Sequence, residues 1–222
     1  MHYQDFEACI FDFDGVIIDS EPLHAEAKRI TLDRFGVQYP DKLFMDFKGR
    51  PDSAFFNFVA IELAAGGETA LELEAYKQAI YLELFENVPL VPGVQGFLVA
   101  ARKSFRKIGL ATSATRRDLG LAERKYQLAQ WFDVIVTGDD TSRHKPDPEP
   151  YVKTMAALET SGLTTLVIED SPNGIQSAKS AQCSIVALTT TFQAQELYKA
   201  GADLVATTFA GLGRELGLVI LQ

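Results

Sequence analysis

The chain has 222 residues, 47% hydrophobic and 23% charged, which excludes disorder and leaves room for one large domain or a core with a smaller insert. A formal net charge of −9 with no Lys/Arg run argues against nucleic acid or anionic membrane as partners, and no apolar stretch approaches the roughly 20 residues of a membrane span. Cys9 and Cys183 sit in apolar runs without CxxC spacing or a neighbouring His, so they read as buried small hydrophobes in a reducing, cytoplasmic protein, and residues 1–5 lack the basic start of a signal peptide.

Ala8-Cys9-Ile10-Phe11 reads as a buried strand that runs straight into Asp12-Phe13-Asp14-Gly15. Residues 20–92 show no strand pattern. Ser20 is expected to cap a helix with Pro22 in its first turn and a stop at Gly36. A second helix is expected from Pro51 or Asp52 to Gly66-Gly67. A third, from Glu68 to Asn87, has Leu71, Tyr76, Ile80, Leu84 and Phe85 at roughly helical spacing. Val88–Gly93 reads as a linker.

Apolar strand-like runs then recur at Lys107–Ala111, Val134–Val136, Thr165–Ile168, Ser184–Leu188 and Ala202–Ala206. Helix-like stretches separate them at Arg117–Gln130, Glu149–Glu159 and Asn173–Ser180. Continuous apolar strands alternating with helices predict an α/β fold with a doubly wound parallel sheet, covered on both faces. The expected organisation is a core of residues 1–19 and 93–222, with residues 20–92 forming a small all-helical domain inserted after the first strand.

In such a sheet, sites form beyond the carboxyl ends of the strands. Four strand ends carry reactive groups: Asp12 and Asp14, Thr112-Ser113, His144-Lys145-Pro146, and Glu169-Asp170. Clustered carboxylates call for a divalent cation, and hard oxygen ligands suit Mg²⁺. Lys145 and the hydroxyls of Thr112 and Ser113, just ahead of a helix, suit a bound phosphate. Asp12 can act as a nucleophile once that charge is neutralised, with Asp14 handling the proton. Taken singly, each piece has a plain alternative: solvated loop acids, a helix cap, a surface lysine. Asp12–Ser20 also has some likeness to a calcium loop, although Gly15 follows the second acid directly.

Asp12-Phe13-Asp14-Gly15-Val16, Thr112-Ser113, Lys145-Pro146 and Glu169-Asp170-Ser171-Pro172-Asn173-Gly174 together resemble the four motifs of the haloacid dehalogenase superfamily. The helical insert resembles the cap of its β-phosphoglucomutase-like branch. The resemblance implies a Rossmann-like core with the first strand central, Asp12 as nucleophile, Asp14 as general acid/base, and Thr112 and Lys145 holding the phosphoryl group. It implies Mg²⁺ on Asp12, the Asp14 carbonyl and Asp170, with Glu169 beside them directly or through water. His24 matches a cap histidine of that branch, and His24 and Arg50 are candidate substrate contacts. Where the mutase carries a cap arginine, this chain has Asp52, an anion expected to repel a second phosphate. The expectation is a phosphatase acting on a small phosphorylated metabolite, a sugar phosphate above all, as a monomer. A sugar phosphomutase and a non-catalytic phospho-aspartate signalling domain are the alternatives.

Overall fold

The computed structural model describes residues 1–40, 42–47, 52–63 and 67–220. The chain divides into two compact units, Met1–Asp19 with Pro89–Gln222, and Ser20–Val88.

The first unit is built on a six-stranded, all-parallel sheet of order β3-β2-β1-β4-β5-β6. The strands are β1 (Ala8–Phe11), β2 (Lys107–Ala111), β3 (Val134–Val136), β4 (Thr165–Glu169), β5 (Ser184–Leu188) and β6 (Leu204–Ala206). Every residue of β1 is buried, because both faces of the sheet are covered. Ala8 and Ile10 share a cluster with Tyr151, Met155 and Leu158 of α7 (Glu149–Leu158), Ile175 and Ala178 of α8 (Pro172–Ser180), and Leu197 of α9 (Ala194–Ala200). Side chains alternate along a strand, so Phe11 faces the other way. It meets Phe97 of α5 (Val94–Ser104) and Phe132, and Phe97 in turn packs on Phe209 of α10 (Phe209–Leu216). Burying each such side chain contributes roughly 1.5–3 kcal/mol. The sheet order reverses direction between β1 and β4, and the crevice at such a switch point is where open α/β sheets bind ligands.

The linker expected at 88–93 is more ordered than a linker. Leu90 pairs antiparallel with Ile18, Asp19 N–H donates to Pro89 O at 2.9 Å, and Val91 N–H donates to Ile17 O at 3.0 Å. These bonds draw residues 89–92 into the first unit, so it resumes at Pro89 rather than at residue 93.

The second unit is helical: α1 (Glu21–Arg34), the short α2 (Leu43–Asp46), α3 (Asp52–Glu62) and α4 (Ala70–Phe85). Leu32, Val37, Leu43, Phe55, Phe56, Val59 and Leu73 form its core. Ser20 occupies the N-cap of α1 but makes no side-chain capping bond there, its backbone being helical already. Thr69 and Glu72 form a reciprocal capping box that fixes the start of α4. The buried stripe of α4 is Leu73-Lys77-Tyr81-Phe85. Leu71, expected to lie on the apolar face, is 78% exposed. Among the described residues, no helix is long and apolar enough to cross a membrane.

Candidate active site

Asp12 follows β1 directly, and its N–H donates to Ile168 O of β4 at 2.9 Å, so the nucleophile candidate is tied to the sheet at the switch point. Its carboxylate Oδ1 accepts from Lys145 Nζ at 2.6 Å. The same ammonium donates to Glu169 Oε1 at 2.8 Å and to Ala111 O at 3.1 Å. Lys145 lies in the loop after β3, whose Lys145–Pro146 peptide is cis. Glu149 pins that loop by accepting from the N–H groups of Ser142 at 2.9 Å and Arg143 at 3.0 Å. One oxygen each from Asp12, Glu169 and Asp170 lie within 4.8 Å of one another, and all three residues are buried. The ends of β1 and β4 and the loop after β3 thus bring side chains to one volume, to which β2 contributes the Ala111 carbonyl.

Glycines make the approach possible. Gly15 has φ +73°, and a Cβ there would collide with the Asp170 carboxylate and the Thr191 hydroxyl. Thr190 Oγ1 donates to Gly15 O at 2.6 Å, holding the loop against the region after β5. A Cβ on Gly174 would collide with both oxygens of Glu169.

The remaining candidates take different positions. Thr112 is buried after β2, and its Oγ1 accepts from Ala114 N–H at 2.9 Å. Ser113 is exposed. Asp14 is part-buried and bridges to Ile18, and its charge is felt at Asp12. Arg50 lies outside the described residues.

Glu169 differs in kind from its neighbours. Oε1 accepts from Lys145 and from Tyr151 OH at 2.8 Å. Oε2 accepts from Asp170 N–H at 2.9 Å, Ser171 N–H at 3.1 Å and Ser171 Oγ at 3.0 Å. Burial pushes this carboxyl up, but Lys145, Tyr151 and the Asp170 N–H outweigh it and hold it below the usual value. With both oxygens engaged, Glu169 anchors Lys145 and the β4–α8 turn.

Asp12 and Asp170 show the reverse balance. Burial pushes Asp12 up to about 7; Lys145 pulls against this, while Glu169 and Asp14 add to it. Burial, then the charges of Glu169 and Asp12, hold Asp170 well above its usual value. Burial disfavours the charge of Lys145, but Asp12 and Glu169 keep it protonated. The site is therefore short of positive charge, and its oxygen donors suit a hard divalent cation.

The helical unit holds its own polar cluster. Lys77 is fully buried, and its Nζ donates to Asp52 at 2.7 Å and to His24 Nδ1 at 2.8 Å. Lys28 pairs with the other Asp52 oxygen at 2.9 Å. The His24 ring stacks on Tyr81 at 4.1 Å. Burial, then Lys77, lowers the His24 pKa to about 3. Lys77 can only donate, so Nδ1 of the neutral His24 accepts and its proton sits on Nε2. Asp52 is thus not a free anion: two ammonium groups hold it, and the cluster is net positive. The expected repulsion of a second phosphate at Asp52 does not stand. Lys28, Lys77 and Tyr151 were not singled out from sequence. The signal for Lys77 was its spacing, in register with Leu73, Tyr81 and Phe85.

The haloacid dehalogenase-like hydrolase family matches residues 9–188, the stretch that supplies Asp12, Lys145, Glu169 and Asp170. The chain belongs to this family. The hydrolase is 34% identical over 179 residues to a phosphorylated carbohydrates phosphatase of Thermotoga maritima, covering 79% of this chain and 81% of that one. It is 35% identical over 199 residues to the validoxylamine A 7'-phosphate phosphatase of Streptomyces hygroscopicus subsp. limoneus, covering 88% and 91%. A crystal structure of a β-phosphoglucomutase-like protein from Thermotoga maritima superposes with a TM-score of 0.82 at 28% identity, covering 96% of the hydrolase and 100% of that chain.

Proposed function

We propose that this hydrolase is a Mg²⁺-dependent phosphatase that cleaves a small phosphorylated sugar or polyol through an aspartyl-phosphate on Asp12. The observation that carries the reading is the position of Asp12 at the switch point, 2.6 Å from the part-buried Lys145 and within one oxygen cluster with Asp170. The names of two relatives, both phosphatases and one of phosphorylated carbohydrates, support the substrate class.

Asp12 attacks phosphorus, and the ester P–O bond breaks as Asp14 gives its proton to the leaving oxygen. Asp14 then takes a proton from the water that attacks the phosphoryl group. The P–O bond to Asp12 breaks, releasing inorganic phosphate and the free carboxylate. Asp12, Asp170 and the Asp14 carbonyl would hold Mg²⁺, which when bound supplies charge that neutralises the phosphate. Lys145 adds a second positive charge, and Thr112 and Ser113 offer hydroxyls to the phosphoryl oxygens. Lys145 also favours the ionised form of Asp12, opposing the burial that raises its pKa.

A mutase reading draws on the net positive cap cluster of Lys28, Lys77 and Asp52. One experiment separates the two. The protein is incubated with Mg²⁺ and a panel of sugar and polyol phosphates, including β-glucose 1-phosphate with a trace of the 1,6-bisphosphate. Free phosphate should exceed isomerised product for every substrate. Rapid glucose 6-phosphate formation with little free phosphate would replace the phosphatase reading with the mutase.

A further inference from the structure

We propose that Tyr151 is a positioning residue for Lys145, acting through Glu169. The proposal rests on the reading above in that Lys145 is taken to meet the phosphoryl group.

Tyr151 is fully buried in the first turn of α7. Its hydroxyl donates at 2.8 Å to Glu169 Oε1, the same oxygen that accepts from Lys145. Its ring also lies under that ammonium, with Lys145 Nζ 4.8 Å from the ring centroid. A phenylalanine would fill the same volume without burying a polar group, so the hydroxyl needs a reason beyond packing. The geometry supplies one. Lys145 has three protons, directed to Asp12 Oδ1, Glu169 Oε1 and Ala111 O. Glu169 Oε1 is the strongest competitor with Asp12 for this ammonium. By occupying one acceptor direction of that oxygen and drawing off part of its charge, the phenol limits how far Glu169 can pull Lys145 away from Asp12. The aromatic face beneath the ammonium holds it in the same place. Tyr151 meets Glu169 through its hydroxyl and Lys145 through its ring, so its influence on the reacting groups passes through Lys145.

The test is a double-mutant cycle on the full chain with Mg²⁺ present: wild type, Tyr151→Phe, Lys145→Met and the double variant. Each is assayed for kcat on its best panel substrate and for binding of inorganic phosphate by calorimetry. Tyr151→Phe should lower kcat about tenfold, as a small misplacement of a charged group does, and weaken phosphate binding several-fold. In the Lys145→Met background the same change should do nothing further to either quantity. Losses that multiply in the double variant, a wild-type kcat and phosphate affinity in Tyr151→Phe, or failure of Tyr151→Phe to fold would each overturn the proposal. The last would make the hydroxyl structural. Phosphate binding reads the placement of Lys145 whether or not the wild type turns over. A wild type inert on every substrate would therefore count against the phosphatase reading alone.

Discussion

At the scale of single residues, the buried carboxylates set the behaviour of the site. Asp12→Asn should leave the fold intact and lower kcat by about three orders of magnitude or more, because an amide is a far poorer nucleophile; comparable turnover in mutant and wild type would remove Asp12 from the role. The same residue makes a prediction for the metal-free protein. Its folded pKa, about 7, lies above the ordinary carboxylate value of 3.8. The folded state therefore holds the proton more tightly, and this stabilisation is complete below pH 3.8 and lost as pH rises through about 7. In EDTA the melting temperature should fall between pH 5 and pH 8, and Asp12→Asn should flatten that slope. An equally steep fall in the variant would show that another group is responsible. Gly174→Ala would drive a methyl group into the Glu169 carboxylate. It should cost about 1–3 kcal/mol in urea unfolding, in line with overpacking elsewhere, and depress kcat by displacing the partner of Lys145. A variant with native stability and rate would mean that α8 shifts freely.

At the scale of elements, α1, α3 and α4 are joined by a buried charge network as well as by apolar packing. Removing Asp52 would strand the fully buried Lys77, whereas removing Lys77 leaves Asp52 paired with Lys28. Asp52→Asn is therefore expected to destabilise by about 2–4 kcal/mol and Lys77→Met by clearly less. Urea titration of both variants checks this, and equal losses would show that the ion pair is not the source of the penalty. This network also shows where sequence reading stops. The six strands were legible because each is a short continuous apolar run between turn residues, and the reactive groups were legible because they sit at the ends of those runs. The α4 face was not. A lysine occupies the middle of its buried stripe, so the apolar spacing pointed instead to Leu71, which is exposed, and Tyr76, which packs edge-on against Phe35. The charge state of Asp52 was equally hidden, since its two cations come from different helices. Glu169 was recognisable as part of the acidic cluster, yet its hydrogen bonds to the β4–α8 turn depend on a backbone geometry that residue identity does not carry.

At the scale of the whole molecule, cation binding should act as a stabilising ligand of the first unit. Magnesium at a hundred times its dissociation constant would add about 2.7 kcal/mol to that unit if it binds only the folded state. Asp170→Ala should abolish both this gain and turnover, matching the effect of EDTA on the wild type. A chelated enzyme with full rate, or an unchanged thermal shift in Asp170→Ala, would remove Asp170 from the cation site.

The paired crossing of residues 17–19 and 89–91 has a consequence for how such a chain can change over time. The insert leaves and rejoins the first unit through one neck, its two ends already held side by side by backbone bonds that require no particular side chain. Lengthening the excursion between them is cheap, with each doubling adding only about 0.6 kcal/mol of closure entropy. Residues 20–88 can therefore be lengthened, trimmed or replaced by another self-supporting segment without altering the register of the strands or the carboxylates at their ends. The chemistry and the inserted segment are free to evolve at separate rates.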